Sequence, residues 1–281
     1  MKSIVLPALA LVLSTAFASA NVIDGTDDRD SLLVIGPSLG LSPDEIDRIR
    51  KVSGYVGCFQ PTPSLGSGAL FLNNQQILTA AHIFFDPETG ARRSSCFFKT
   101  QDWEAVKIDL APESAVFGAL PPKAGSNYDF AVVPLVSPVP GAEPFPVAED
   151  KAVKAGDELI VVTAHPAGME KAVPNEVPVV QGCKIRRVPI SSSITSFYRS
   201  DCDASGSSSG GMNLSRVDGE LVYRGITITT GLWREPALHG APYDEKRGSV
   251  TTSLGTDAAI LEAGRKLAVE TRFWSAGPAT D

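Results

Sequence analysis

Asp201-Cys-Asp-Ala-Ser-Gly-Ser-Ser-Ser-Gly-Gly-Met212 is the stretch on which the reading of this 281-residue chain turns. Alone, three consecutive serines followed by Gly-Gly have the composition of a flexible linker. The surroundings argue otherwise. Cys202 sits at the head of the stretch, an apolar strand pattern follows it, and Leu78-Thr-Ala-Ala-His82 lies far upstream. A serine hydroxyl is a weak nucleophile. It needs a base to take its proton and backbone N–H groups to hold a developing oxyanion. Glycines beside it let the backbone turn sharply and a carbonyl come close. The stretch therefore reads as a loop that presents one serine.

Two further residues give that reading its partners. His82 ends a run of small residues that lets an imidazole face a cleft, although an isolated histidine there is more often a core residue. Asp129 heads Asp129-Phe-Ala-Val-Val-Pro-Leu135, and a carboxylate at the start of so apolar a strand is expensive to bury without a partner. An imidazole N–H is such a partner; without one, Asp129 reads as a strand-end cap. The order His, Asp, Ser is one of the known triad orders and differs from that of the α/β-hydrolases. In it His82 is the general base, and Asp129 fixes the imidazole tautomer and stabilises its charged form. Of the other two histidines, His165 precedes Pro166 and reads as a turn residue, and His239 as a surface-loop residue.

The chain ends bound the class. Lys2, the apolar run Ile4 to Phe17 and Ala18-Ser19-Ala20 have the pattern of a secretory leader cleaved after Ala20. The run is short and contains Pro7, which argues against a membrane anchor. A secreted or periplasmic protein is expected. Its net charge of -7 argues against nucleic acid as partner, since phosphate binding needs a basic face. Four cysteines in an exported chain imply two disulfides. Three pairings are open; Cys58–Cys96 with Cys183–Cys202 is favoured, because it joins neighbours and staples each half separately. No two cysteines have zinc-ligand spacing, so no metal is expected. Asp27, Asp28 and Asp30 lack the spacing of a calcium loop and read as a solvated turn.

Between the ends, 21 Pro and 25 Gly spread along the chain mean many turns and short strands. Ser42-Pro43-Asp44-Glu45 opens a short helix reaching about Val52. Strands are predicted at Tyr55–Phe59, Gly68–Leu72, Gln75–Thr79, Cys96–Thr100, Ala105–Leu110 and Asp129–Leu135, with Asn73-Asn74 as a two-residue hairpin turn. A Pro-rich connection, Val136 to Val147, separates them from strands at Glu158–Thr163, Cys183–Val188, Ser196–Ser200 and Glu220–Thr229. Thr256 caps a final helix from Asp257 to about Glu270. Short strands with helices only near the ends favour an all-β barrel or sandwich.

Leu78-Thr-Ala-Ala-His82, Asp129-Phe-Ala-Val-Val133 and Asp201 to Gly211 resemble the three signature segments of trypsin-like serine proteases. The spacing, and the start Val22-Ile-Asp-Gly-Thr-Asp-Asp-Arg29, resemble the glutamyl-endopeptidase (V8-like) branch. The resemblance spans roughly Tyr55 to Thr256. It implies an all-β fold of two six-stranded antiparallel β-barrels, a short N-terminal helix and a C-terminal helix. It places His82 and Asp129 on the first barrel and Ser209 on the second. The implied activity is a serine endopeptidase working through an acyl-enzyme on protein or peptide substrates, as a monomer without cofactor or membrane anchor. The implied organisation is a leader at 1–20, an N-terminal segment at 21–53 that is a candidate propeptide, barrels at 54–145 and 146–255, and a helix and tail at 256–281.

The sequence departs from the family pattern in four places. The oxyanion hole would use the amides of Ser207 and Ser209, and the family prefers Gly where Ser207 stands. Sliding by one makes Ser208 the nucleophile and Gly206 the hole residue, but replaces the following Gly by Ser209; the Cys202 spacing favours Ser209. Ser208 also replaces the Asp that pairs with a new N-terminus in animal trypsins, so that switch is not expected. Met212 stands where Pro is usual. Thr227 replaces the pocket-wall His of the Glu-cleaving branch and suggests a neutral polar wall. A non-catalytic module binding protein or peptide on the same barrels is the alternative, and an exported esterase a third reading.

Overall fold

The computed structural model describes residues 22–100, 106–108, 114–147, 153–164, 173, 177–188 and 197–275. The leader pattern, His165 and the ends of the expected Ala105–Leu110 strand lie outside the described residues. Few helices occur. After β1 (Asp30–Ser31) come the four-residue helix α1 (Leu32–Ile35) and α2 (Pro43–Val52). The Ser42 hydroxyl accepts the Glu45 amide while the Glu45 carboxylate accepts the Ser42 amide, a reciprocal capping box. The helix starts where the sequence predicts.

Seven strands then form an antiparallel sheet: β2 (Ser53–Gln60), β3 (Ser64–Leu70), β4 (Gln76–Thr79), β5 (Ser94–Thr100), β6 (Val106–Lys107), β7 (Val116–Phe117) and β8 (Ala131–Pro134). Their order is β6-β5-β2-β3-β4-β8-β7. Val56, Cys58, Cys96 and Phe98 point inward and are buried, as period-2 alternation requires. The sheet curls until Ile108 bridges Leu135 and the Val136 amide donates to Lys107 O at 3.0 Å. Against the expected six-stranded barrel, this half is a curled sheet joined across its seam by that bridge.

The second half closes fully. β9 (Glu158–Thr163), β10 (Val179–Arg187), β11 (Phe197–Ser200), β12 (Met212–Val217), β13 (Glu220–Thr230) and β14 (Thr251–Gly255) run β10-β11-β14-β13-β12-β9, and β9 pairs back onto β10. Six antiparallel strands thus make a barrel, and the architecture is the two-barrel, mostly-β one expected. β1 adds to the barrel through Asp30 opposite Val180. Both disulfides are those favoured: Cys58–Cys96 across β2 and β5, and Cys183–Cys202.

Three local readings need correction. Asn73-Asn74 is not a two-residue hairpin. The last β3–β4 pair is Leu70 with Ile77, and Leu72 takes a left-handed φ of 63°, so a longer loop turns the chain. The final helix, α3 (Ala258–Ser275), is capped by Asp257, whose carboxylate accepts the amides of Ala259 and Ile260. The Thr256 hydroxyl donates instead to Tyr223 O. The acidic turn is solvated only in part: Asp28 is exposed, but Asp27 is buried and holds the buried Arg29 guanidinium at 2.9 Å. The leading segment packs on the loop around Gly240. Val22 and Ile23 are buried, and Asp24 N and Gly240 N exchange bonds with Ala241 O and Val22 O.

Candidate active site

β4 runs into buried Ala80 and Ala81, and a 3₁₀ turn over Ala81–Phe84 lifts His82 out of the sheet. The alanines leave room for this turn to pack on the chain around Asp129, and Ala81 N reaches Asp129 O at 3.5 Å. Asp129 lies two residues ahead of β8 and is fully buried. Its burial is offset by three donors. Oδ2 is 2.8 Å from His82 Nδ1 and accepts the Gly125 amide at 2.7 Å; Oδ1 accepts the His82 amide at 3.0 Å. A carboxylate accepts only, so in the neutral imidazole the proton sits on Nδ1 and Nε2 is the lone-pair nitrogen. The His82 side chain is 27% exposed.

The serine loop follows Cys202. Its turns are fixed by Ser208 N to Ser205 O at 3.0 Å and Gly211 N to Ser208 O at 2.9 Å. The Ser208 hydroxyl accepts the Ser205 amide at 2.9 Å and is buried. Ser209 is partly exposed. Of the two serines weighed in the sequence, Ser208 has its hydroxyl on the Ser205 amide and is buried, and Ser209 is the more exposed.

The loop is fastened to both halves of the molecule. Ser67 N donates to Ser209 O at 2.8 Å, and the Ser67 hydroxyl donates to Ser207 O and accepts the Ala164 amide, each at 3.0 Å. On the other side Gly210 N donates to Thr227 O at 2.7 Å and Thr227 N to Gly211 O at 3.0 Å. Gly210 has a φ of +81°, and a β-carbon there would overlap Ser67 O and Thr79 Oγ1. Only glycine takes that conformation at that distance without strain. The amides of Ser207 and Ser209 donate to no protein acceptor among the described residues, and no hydrogen bond joins His82 to Ser209 among them.

Thr227 is buried, and its hydroxyl donates to Asn213 Oδ1 at 3.0 Å, while Asn213 Nδ2 donates to the Tyr198 hydroxyl at 2.8 Å. Burial pushes the Tyr198 phenol up to about 12, against the pull of Asn213. The expected polar wall at Thr227 therefore keeps its hydroxyl inside the barrel. His239 is exposed in its loop, as expected. Among the described residues the cluster Cys183, Asp201, Cys202 has metal-like proximity, but its two thiols are joined in a disulfide and cannot ligate.

Sequence reasoning missed two residues of this site. Ser67 sits between Gly66 and Gly68, and its only signal is that pair of glycines, of which Gly66 leaves room for Ser209 O. Asp203 is buried six positions before Ser209, where its carboxylate accepts the amides of Ile23 at 2.8 Å and Asp28 at 2.9 Å. Burial pushes its carboxyl up to about 7, although the two amides pull the other way. No feature of the sequence links Asp203 to residues so far upstream.

A sequence model of the trypsin-like peptidase domain matches residues 66–222. No curated protein sequence matches the chain. Solved structures do. A Glu endopeptidase in complex with MPD aligns over 86% of this chain and 97% of its own, with a TM-score of 0.59 at 13% identity. The thermostable serine protease AL20 from an extremophilic microorganism aligns over 79% and 99%, with a TM-score of 0.53 at 13% identity. The protease Anisep from Arthrobacter nicotinovorans aligns over 78% and 96%, with a TM-score of 0.52 at 13% identity. At these identities the likeness is one of fold.

Proposed function

The chain belongs to the trypsin-like peptidase family, and from that premise we propose that it is an exported serine endopeptidase whose triad is His82, Asp129 and Ser209. The observation that carries the reading is the buried Asp129 carboxylate, which meets both the ring Nδ1 and the amide of His82. It fixes the tautomer in which Nε2 can take a proton. Ser209 is held through its carbonyl by Ser67 and is partly exposed, unlike the buried Ser208.

In the proposed reaction Ser209 Oγ attacks the scissile carbonyl as its proton passes to His82 Nε2. The Ser207 and Ser209 amides receive the oxyanion. His82 then protonates the leaving amine, and water repeats the sequence on the acyl-enzyme. Ser207 in place of glycine keeps the amide that the hole requires. Thr227 pairs with the loop through its backbone and keeps its neutral hydroxyl on Asn213, so it brings no charge to the substrate side. A protein or peptide substrate, a monomer and an extracytoplasmic location complete the proposal. The location rests on the leader pattern at residues 1–20, and the two disulfides agree with it.

The test is turnover of an unstructured protein substrate by the wild type and by Ser208→Ala and Ser209→Ala. Abolition by Ser209→Ala, with residual turnover in Ser208→Ala, is expected. Equal activity in Ser209→Ala and wild type would contradict the assignment. A non-catalytic binding role would instead leave substrate bound and uncut in the wild type.

A further inference from the structure

A peptide unit is planar, so its N–H and C=O point opposite ways and turn together. The serine loop can be followed as a run of such planes. The plane joining Ser207 to Ser208 is held at both ends: its carbonyl accepts the Ser67 hydroxyl at 3.0 Å, and its N–H donates to Ser205 O at 3.0 Å. The plane joining Ser209 to Gly210 is also held at both ends, its carbonyl by the Ser67 amide at 2.8 Å and its N–H by Thr227 O at 2.7 Å. Between them lies the plane joining Ser208 to Ser209. Its carbonyl accepts the Gly211 amide at 2.9 Å, and its N–H, that of Ser209, donates to no protein acceptor among the described residues. Ser67 thus acts on both planes that flank the Ser209 N–H. The Ser207 N–H, which also donates to none among them, belongs to the residue whose carbonyl the Ser67 hydroxyl holds.

The surroundings of Ser67 give its hydroxyl one direction. Ser67 is buried on β3. Its Oγ accepts the Ala164 amide at 3.0 Å, just beyond the end of β9, so the hydroxyl proton is left to point at Ser207 O. In the run from Ala164 N–H through Ser67 O–H to Ser207 O, each bond polarises the next. The Ser67 backbone is fixed in its turn, because Ser67 O accepts the hydroxyl of Thr79 at 2.6 Å. Thr79 ends β4, three residues before His82. One residue therefore links the strand that leads to His82 with the loop that carries Ser209. An alanine at position 67 would keep the amide bond to Ser209 O and lose both bonds of the side chain.

Resting on the proposed protease reading, we infer that Ser67 is, through its hydroxyl, a positioning residue for the oxyanion hole. It touches neither the substrate nor the reacting atoms. It limits the directions open to the Ser207 and Ser209 amides before a substrate arrives. Donors already aimed at a developing charge need no rearrangement during the reaction, and a hole gains its effect from that. Without the hydroxyl, the plane joining Ser207 to Ser208 keeps one of its two ties, and the hole must be ordered in each turnover. The loss falls on the transition state and not on substrate binding, so kcat falls while KM holds.

The experiment compares the full mature protein with Ser67→Ala and Ser67→Thr on two peptide substrates, a methyl ester and its thionoester, which has sulfur in place of the carbonyl oxygen. Sulfur accepts an N–H weakly, so the hole contributes little to the thionoester. In Ser67→Ala the ester kcat is expected to fall about 30-fold, short of the loss of about 10²–10³-fold for a whole donor. Ester KM and thionoester kcat are expected to stay within about threefold. Ser67→Thr keeps a hydroxyl and is expected to bring the ester back to within about threefold of wild type. The ester-to-thionoester ratio is read within one sample, so a lower folded fraction cancels in it. Should Ser67→Ala yield no folded protein, Ser67→Cys, which fills the space with a weak S–H donor, carries the same ratio. An unchanged ratio, a raised KM with kcat kept, or a ratio in Ser67→Thr as low as in Ser67→Ala gives Ser67 a structural role only. Each overturns the inference and leaves the protease reading standing, since the wild type still cleaves. A wild type that cleaves neither ester nor protein, and takes no fluorophosphonate at Ser209, overturns the protease reading and the inference with it.

Discussion

At Gly210 the backbone runs at φ +81°, pressed between Ser67 O, Thr79 Oγ1 and Thr227 O. Gly210→Ala must displace the serine loop. The expected outcome is a loss of about 2 kcal/mol or more of stability, read from denaturant unfolding, with loss of Ser209 reactivity. Asp129→Asn is the milder chemical change. It keeps the shape but offers an N–H₂ where an acceptor is needed, so the wrong tautomer of His82 is favoured. A fall of about 10⁴-fold in kcat with the fold retained is expected. The pairing of His82 with Asp129 was readable in the sequence, because the small residues before His82 and the apolar strand after Asp129 each need an explanation. For Ser209 over Ser208 the sequence offered the Cys202 spacing of the family pattern and no local physical signal. The choice depends on which hydroxyl turns back to the Ser205 amide, and three adjacent serines carry no periodicity to indicate that. Ser67 was missed for a related reason: its role lies in contacts to residues 140 and 97 positions away.

The elements whose ends have their own chemistry were legible, and those fixed by distant contacts were not. The Ser42–Glu45 capping box and the apolar strand Glu158–Thr163 appear where the residues place them. The segment Val22–Asp28 has no such signal, yet it is tied to Asp203 and to the loop around Gly240. That tie has a pH dependence. The Asp203 carboxyl is raised to about 7 by burial, above an ordinary value of 3.8. Between those values the folded state holds a proton that the unfolded chain has released. The stabilising effect of the group is therefore full below about pH 4 and declines as pH rises through about 7. Thermal unfolding followed from pH 4 to 8 should show this decline, and Asp203→Asn should flatten it. A wild-type profile no steeper than that of Asp203→Asn would contradict the proton assignment.

At the scale of the molecule, each end of the described chain packs on the opposite half. The N-terminal segment pairs with β10 of the second barrel, while α3 returns to β4 and β8 of the first, where Gln76 Nε2 donates to Gly264 O at 3.1 Å. The sequence announced the two halves through the Pro-rich connection, but not this crossing, since neither end shares a local pattern with its partner. The serine loop lies where the halves meet, and the Cys183–Cys202 disulfide anchors its upstream end. Breaking that link frees a loop of 19 residues, and a loss of about 3 kcal/mol is expected, measured as a lower Tm for Cys183→Ala/Cys202→Ala than for wild type. The central claim is that these halves assemble a working nucleophile at Ser209. Fluorophosphonate labelling of the mature protein, followed by peptide mapping, tests it most directly. The account predicts a single adduct on Ser209 that disappears in His82→Ala; an adduct on Ser208, or none on folded, disulfide-bonded protein from neutral to alkaline pH, would contradict it.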